Sequence, residues 1–170
     1  MLSEGIALSK RSFYIAAVLL LIMLYGCSSS GRNVLTGSRA DYTLLLPEGW
    51  SECDALNPSA DASAQNAAER TYMIVLCEDA EDFCENMTAQ EFSELSEKSM
   101  LSRYAQAVIS RTENGGYCCR CEVESVNVVF YVETFKCSDS FVQLVFWSSK
   151  SDYDDAYGQF VAIARSLTSK

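Results

Sequence analysis

Cys118-Cys119-Arg120-Cys121 is the densest run of reactive side chains in the sequence. Thiolates serve as nucleophiles, redox partners and soft-metal ligands. On an extended backbone Cys119 and Cys121 face one way with Tyr117 and Val123, while Cys118 faces the other way with Arg120 and Glu122. Three thiols divided between two faces do not converge easily on one metal ion. A disulfide to Cys137 or Cys77 on a neighbouring strand is the alternative, with connectivity left open by spacing alone. Two readings follow: structural thiols or disulfides, since cysteine packs as a small hydrophobe, and a thiol-based redox or soft-metal site using Cys118, Cys119, Cys121 and Cys137. Apart from Cys27, the chain holds Cys53, Cys77, Cys84, Cys118, Cys119, Cys121 and Cys137, an odd set that leaves at least one thiol unpaired.

The carboxylates Glu78, Asp79, Glu81 and Asp82 have the hard oxygens that calcium takes, but they lack the glycine of an EF-hand loop and read as a solvated acidic segment. Asp152, Asp154 and Asp155 suit a helix N-terminus. Trp50 and Trp147 sit at strand ends, where core packing is the expectation and partner anchoring the alternative. Histidine is absent. This removes the commonest general base, Ser-His and Cys-His nucleophile pairs, and histidine-containing zinc sites. With no P-loop and no GxGxxG turn, neither an enzyme nor a bound cofactor is expected. Thirteen basic against 23 acidic residues give a net charge of −10. Nucleic acid and anionic headgroups need clustered cations and are poor partners for such a surface.

Leu24-Tyr25-Gly26-Cys27 closes an apolar run from Phe13 to Leu24 that follows Lys10 and Arg11. The run is shorter than the roughly 20 residues needed to span a bilayer, and Ser28-Ser29-Ser30-Gly31 follows at once. The four residues resemble the bacterial lipobox. The resemblance implies a signal peptide over 1–26 and a diacylglyceryl group on the Cys27 sulfur, holding the chain on the outer face of a cell membrane. Two acyl chains are required, because each buried methylene contributes about 0.8 kcal/mol and one chain anchors only marginally. Residues 27–40 then form the lipidated cysteine and a disordered polar tether, and 41–170 a single folded domain.

The elements that must position these groups follow from periodicity. Tyr42, Leu44 and Leu46 alternate as a strand before Pro47-Glu48-Gly49, and a second extended piece is placed within 51–56. Residues 58–70 read as a loop or short helix, and Thr71 to Cys77 as a central strand. Thr88 with Glu91 has capping-box spacing ahead of a helix over 89–108 in which Phe92, Leu95, Ser99, Leu101 or Met100, Tyr104 and Val108 recur near helical period. Asn114-Gly115-Gly116 is a turn, followed by strands at 117–124, 128–136 and 141–149 in an antiparallel meander. Ser151 caps a last helix striped by Tyr153, Ala156, Tyr157, Phe160, Val161, Ala164 and Leu167. The fold class is α+β, an antiparallel sheet flanked by helices on both faces.

That order of elements resembles the PsbP-like fold, shared by a photosystem II extrinsic subunit, a Ran-binding nuclear import factor and bacterial lipoproteins. The resemblance rests on YTLLLPEGW near the start, YMIVLCEDAEDF before the first helix, and the meander ending in VQLVFW before the helix that finishes ARSL. It implies a non-catalytic binding or assembly module of the cell envelope, with the membrane reached through Cys27 and a protein as partner. No family binding residue maps onto this chain.

Overall fold

The computed structural model describes residues 33–53 and 56–169. The expected signal peptide, Cys27 and the tether as far as residue 32 lie outside the described residues. The elements are β1 (Asn33–Thr36), β2 (Tyr42–Leu46), β3 (Ser51–Glu52), β4 (Ala62–Asn66), β5 (Thr71–Asp79), a 3-10 turn (Ala80–Asp82), α1 (Ala89–Arg103), β6 (Val108–Arg111), β7 (Tyr117–Val123), β8 (Val126–Lys136), β9 (Ser140–Ser149), α2 (Tyr153–Arg165) and β10 (Thr168–Ser169). Seven strands pair in the order β3-β4-β5-β9-β8-β7-β6, and β1-β2-β10 make a smaller sheet. Every pairing is antiparallel. The expected α+β class, with a helix against each face of the large sheet, is the observed one.

Alternation assigns the faces. Met73, Val75, Tyr131, Val142, Leu144 and Phe146 point to one side and are buried with Phe160, Ile163 and Ala164 of α2 and with Leu35, Leu44 and Leu46 of the small sheet. Trp50 belongs to this core: it packs edge-on against Phe146 and Phe160, with centroids 6.5 and 6.2 Å away, and its indole N–H donates to Gln159 at 2.7 Å. Phe146 and Phe160 stack at 5.0 Å. Burying one such side chain contributes about 1.5–3 kcal/mol, so this layer dominates the stability of the domain. The stripe of α2 is therefore the principal seal of the sheet.

Several expectations need correction. Residues 33–36, placed in the tether, form β1, which pairs Leu35 with Leu44 and leaves Leu35 1% exposed. The following loop is fastened by the Asp61 carboxylate, which accepts hydrogen bonds from Ser38 N–H, Ser38 Oγ and Arg39 N–H at 3.1, 2.6 and 2.7 Å. Residues 58–70 are neither loop nor helix throughout: Ala62–Asn66 is strand β4, paired along β5 with Ala64 opposite Met73. Of the extended piece expected within 51–56, Ser51–Glu52 forms β3, and residues 54 and 55 lie outside the described residues. The first helix ends at Arg103 rather than 108, because Gln106 takes φ +63° and Val108–Arg111 pairs with the edge of β7. Asp152, not Ser151, is the N-cap residue of α2, and Ser149 and Ser151 hydroxyls donate to its carboxylate.

The capping box is as expected, with Thr88 and Glu91 bonded reciprocally. Glu78 and Asp79 finish β5, and the 3-10 turn carries Glu81 and Asp82, both exposed. The β7–β8 turn lies one residue earlier than its composition suggests. Glu124 and Ser125 both take positive φ, 49° and 68°, the two-residue form that matches strand twist.

Candidate functional site

Helix α1 covers the second face of the large sheet incompletely, and its sequence explains why. Its N-terminal end is pinned by Phe92, stacked on Phe141 at 4.7 Å and edge-on to Phe83 at 5.2 Å. Beyond its C-terminal end Tyr104 stacks on Phe130 at 5.7 Å. Between these anchors the helix offers Ser96, Ser99 and Met100 to the sheet, while Leu95 and Leu101 remain 45% and 49% exposed. Hydroxymethyl groups do not fill the space a leucine would. Of the expected periodic positions, Phe92, Ser99, Met100 and Tyr104 do face the sheet while Leu95 and Leu101 do not, and a groove of about 410 Å³ is left beneath the helix.

The sheet supplies its floor with Ile74, Val132, Val145 and the rings of Phe130 and Trp147. Trp147 is half-buried and stacks on Tyr72 at 5.5 Å, so it is a groove wall rather than a core residue. One polar chain crosses the floor. Ser96 donates to Gln143 Oε1 at 3.1 Å, and Gln143 Nε2 donates to Thr134 Oγ1 at 3.0 Å. Since the single Ser96 proton is used, the Tyr117 hydroxyl donates to Ser96 Oγ at 2.7 Å. Burial pushes the Tyr117 phenol up to about 12, so it stays a neutral donor.

Charge is confined to the mouth. The Arg103 guanidinium lies 6.0 Å from the Tyr104 ring centroid and makes no ion pair among the described residues. Glu94 and Glu97 of the same helix both meet Arg111 at 3.3 Å. No carboxylate is found among the described lining residues.

The thiols are divided as the alternation predicts. Cys119 and Cys121 lie on the groove side, buried with Tyr117 and Val132 next to Met100 and Tyr104. Cys118 points to the α2 side, its sulfur 2.9 Å from the Tyr153 hydroxyl. Cys137 packs at the far end of β8 against the core that holds Cys77, whose thiol meets Asp61 Oδ2 at 3.5 Å. None of the seven forms a disulfide, and the described residues contain no group of three or more ligating side chains placed to hold a metal ion. Burial pushes Cys119 up to about 12 and raises Cys121 as well, which suppresses thiolate character at neutral pH.

Ser96 and Arg103 escaped the sequence reading, and Ser99 entered it only as a periodic position of the helix. The available signal was serine at 93, 96, 99 and 102, a three-residue spacing that sets small side chains along one side of a helix. Among the described residues no helix is long and apolar enough to cross a membrane.

No protein-family model and no curated protein sequence matches the chain. Solved structures do. The cyanobacterial PsbP of Synechocystis sp. PCC 6803 aligns with a TM-score of 0.52 at 15% identity, covering 87% of this chain and 99% of that one. LpqN of Mycobacterium tuberculosis, described as involved in cell envelope biogenesis, gives 0.54 at 10% identity over 81% of this chain and 90% of its own. A variant of the protein Mog1 gives 0.52 at 13% identity, covering 81% and 95%. At such identities the likeness is one of fold, and on it the chain has the PsbP-like fold that its element order resembles.

Proposed function

We propose that the chain is a lipid-anchored module outside the cytoplasm that binds an envelope partner and catalyses no reaction. The groove beneath α1 carries the binding half of this reading. A preformed, mostly apolar depression with a few placed polar groups is the common form of a ligand site. Its titratable lining groups are Arg103, Tyr104 and Tyr117, which pair no nucleophile with a base. The Leu24 to Cys27 sequence supports the anchor, and β1 shortens the tether to the few residues between Cys27 and Asn33. The involvement of LpqN in cell envelope biogenesis agrees in kind.

The thiol alternative has less behind it. Cys119 and Cys121 are neighbours, but both are buried and their pKa values are raised. One experiment addresses both halves of the main reading. With a photo-crosslinker at Ser99, the wild-type chain should fractionate with membranes and give a discrete adduct, and Cys27→Ser should lose both. A Cys27→Ser chain that still resists release from membranes would overturn the anchor, and no adduct from anchored protein would overturn the binding role.

A further inference from the structure

We infer that the groove beneath α1 takes an aromatic anion, a flat apolar body carrying one acidic group, with the rings inside and the acid at Arg103. This rests on reading the groove as a binding site, and goes further by assigning what fits it. The walls present three half-buried rings: Tyr104 beside Phe130 at 5.7 Å, and Phe130 tilted by 41° to Trp147 at 6.3 Å. Ring edges and faces of this kind favour offset-stacked or edge-on partners. About 410 Å³ suits two or three fused rings.

Polarity fixes the orientation. The floor hydroxyls and amide satisfy one another through Tyr117, Ser96, Gln143 and Thr134, so the deep end of the groove asks for no polar group. An acidic group buried there would lose water and gain nothing. The one cation among the described lining residues, Arg103, stands at the rim, held over Tyr104 with its donor fork uncommitted to any carboxylate among the described residues. A guanidinium fork recognises planar oxyanions through paired hydrogen bonds. The chain's net charge of −10 does not cancel this. Salt screens remote acids over about 8 Å at physiological ionic strength, and Arg111 offsets one of the two charges of Glu94 and Glu97 on the same helix.

The test compares two probes with one skeleton, anionic 1-anilinonaphthalene-8-sulfonate and neutral N-phenyl-1-naphthylamine. Each is titrated into the full chain in lipid nanodiscs and read by energy transfer from tryptophan. The wild type should bind the anion roughly tenfold more tightly than the neutral probe. Arg103→Gln should erase that preference without changing neutral binding, Arg103→Lys should restore part of it, and Ser99→Phe, filling the mouth, should weaken both. Circular dichroism checks that each variant is folded. Equal affinities in the wild type, or an Arg103→Gln variant that keeps the preference, overturn the anion assignment while the groove remains a site. Absence of saturable binding by either probe, or indifference of both to Ser99→Phe, overturns the groove reading itself.

Discussion

Ser96 of α1 and Tyr117 of β7 are joined by a 2.7 Å hydrogen bond, a polar tie between the helix and the sheet face it half covers. Ser96 also donates to Gln143, which is buried, as is Tyr117. Ser96→Ala leaves two buried groups short of a partner and should cost about 1–3 kcal/mol. Urea denaturation checks this. A loss below about 0.5 kcal/mol would mean the tie does not hold the helix.

The two helices should respond oppositely to truncation. Phe160 of α2 is fully buried between Trp50 and Phe146, and Phe160→Ala should cost about 3–5 kcal/mol. Leu101 of α1 is half exposed, and Leu101→Ala should stay within about 0.5 kcal/mol of wild type. Comparable losses at both positions would contradict the assignment of α2 as the seal.

These contrasts explain what was legible in the sequence. The α2 stripe and the alternation of Tyr42, Leu44 and Leu46 were readable because each buries one continuous apolar face. Strand β4 was not, since Ala62-Ser-Ala-Gln-Asn66 has little strand preference of its own and is extended because β5 offers it a paired edge. β1 was hidden for a similar reason: Asn33-Val-Leu-Thr36 is short, and its place depends on β2 and on the distant Asp61. The groove was least visible of all. It arises where Ser96 and Ser99 fail to fill a space, and small polar residues on a helix resemble a solvated face.

Asp61 should make stability fall in acid. Burial pushes its carboxyl upward, but hydrogen bonds from Ser38, Arg39 N–H and Cys77, with the Tyr42 hydroxyl nearby, outweigh this and hold it below the ordinary 3.8. A depressed folded-state value gives stability that is present above the unfolded value and lost as pH falls through the folded one. Asp61→Asn should cost about 1–3 kcal/mol at pH 7, and the gap from wild type should narrow below about pH 4. Urea midpoints at pH 7 and pH 3 check it. A gap that does not shrink would mean that Asp61 is not the acid-sensitive clamp.

Thiol reactivity should follow burial. Cys84 is exposed and should alkylate quickly at pH 8, whereas Cys77, Cys118, Cys119 and Cys121 should label only on unfolding. Burial pushes Cys77 and Cys119 up to about 12, from an ordinary 9.0. Raised values contribute stability that is intact below pH 9 and lost as pH rises towards 12. Peptide mass mapping of native and unfolded protein checks the order, and fast native labelling of Cys119 would revive the redox reading.

The central claim is that the sheet face under α1 is a binding site. Methyl NMR of the full chain in nanodiscs, titrated with N-phenyl-1-naphthylamine, tests it most directly because the two sheet faces carry different methyl groups. Saturable shifts should be confined to Ile74, Val132 and Val145, which line the groove, and should spare Val129, Val142 and Leu144 in the α2 core. Unmoved groove methyls, or shifts spread equally over both faces, would contradict it.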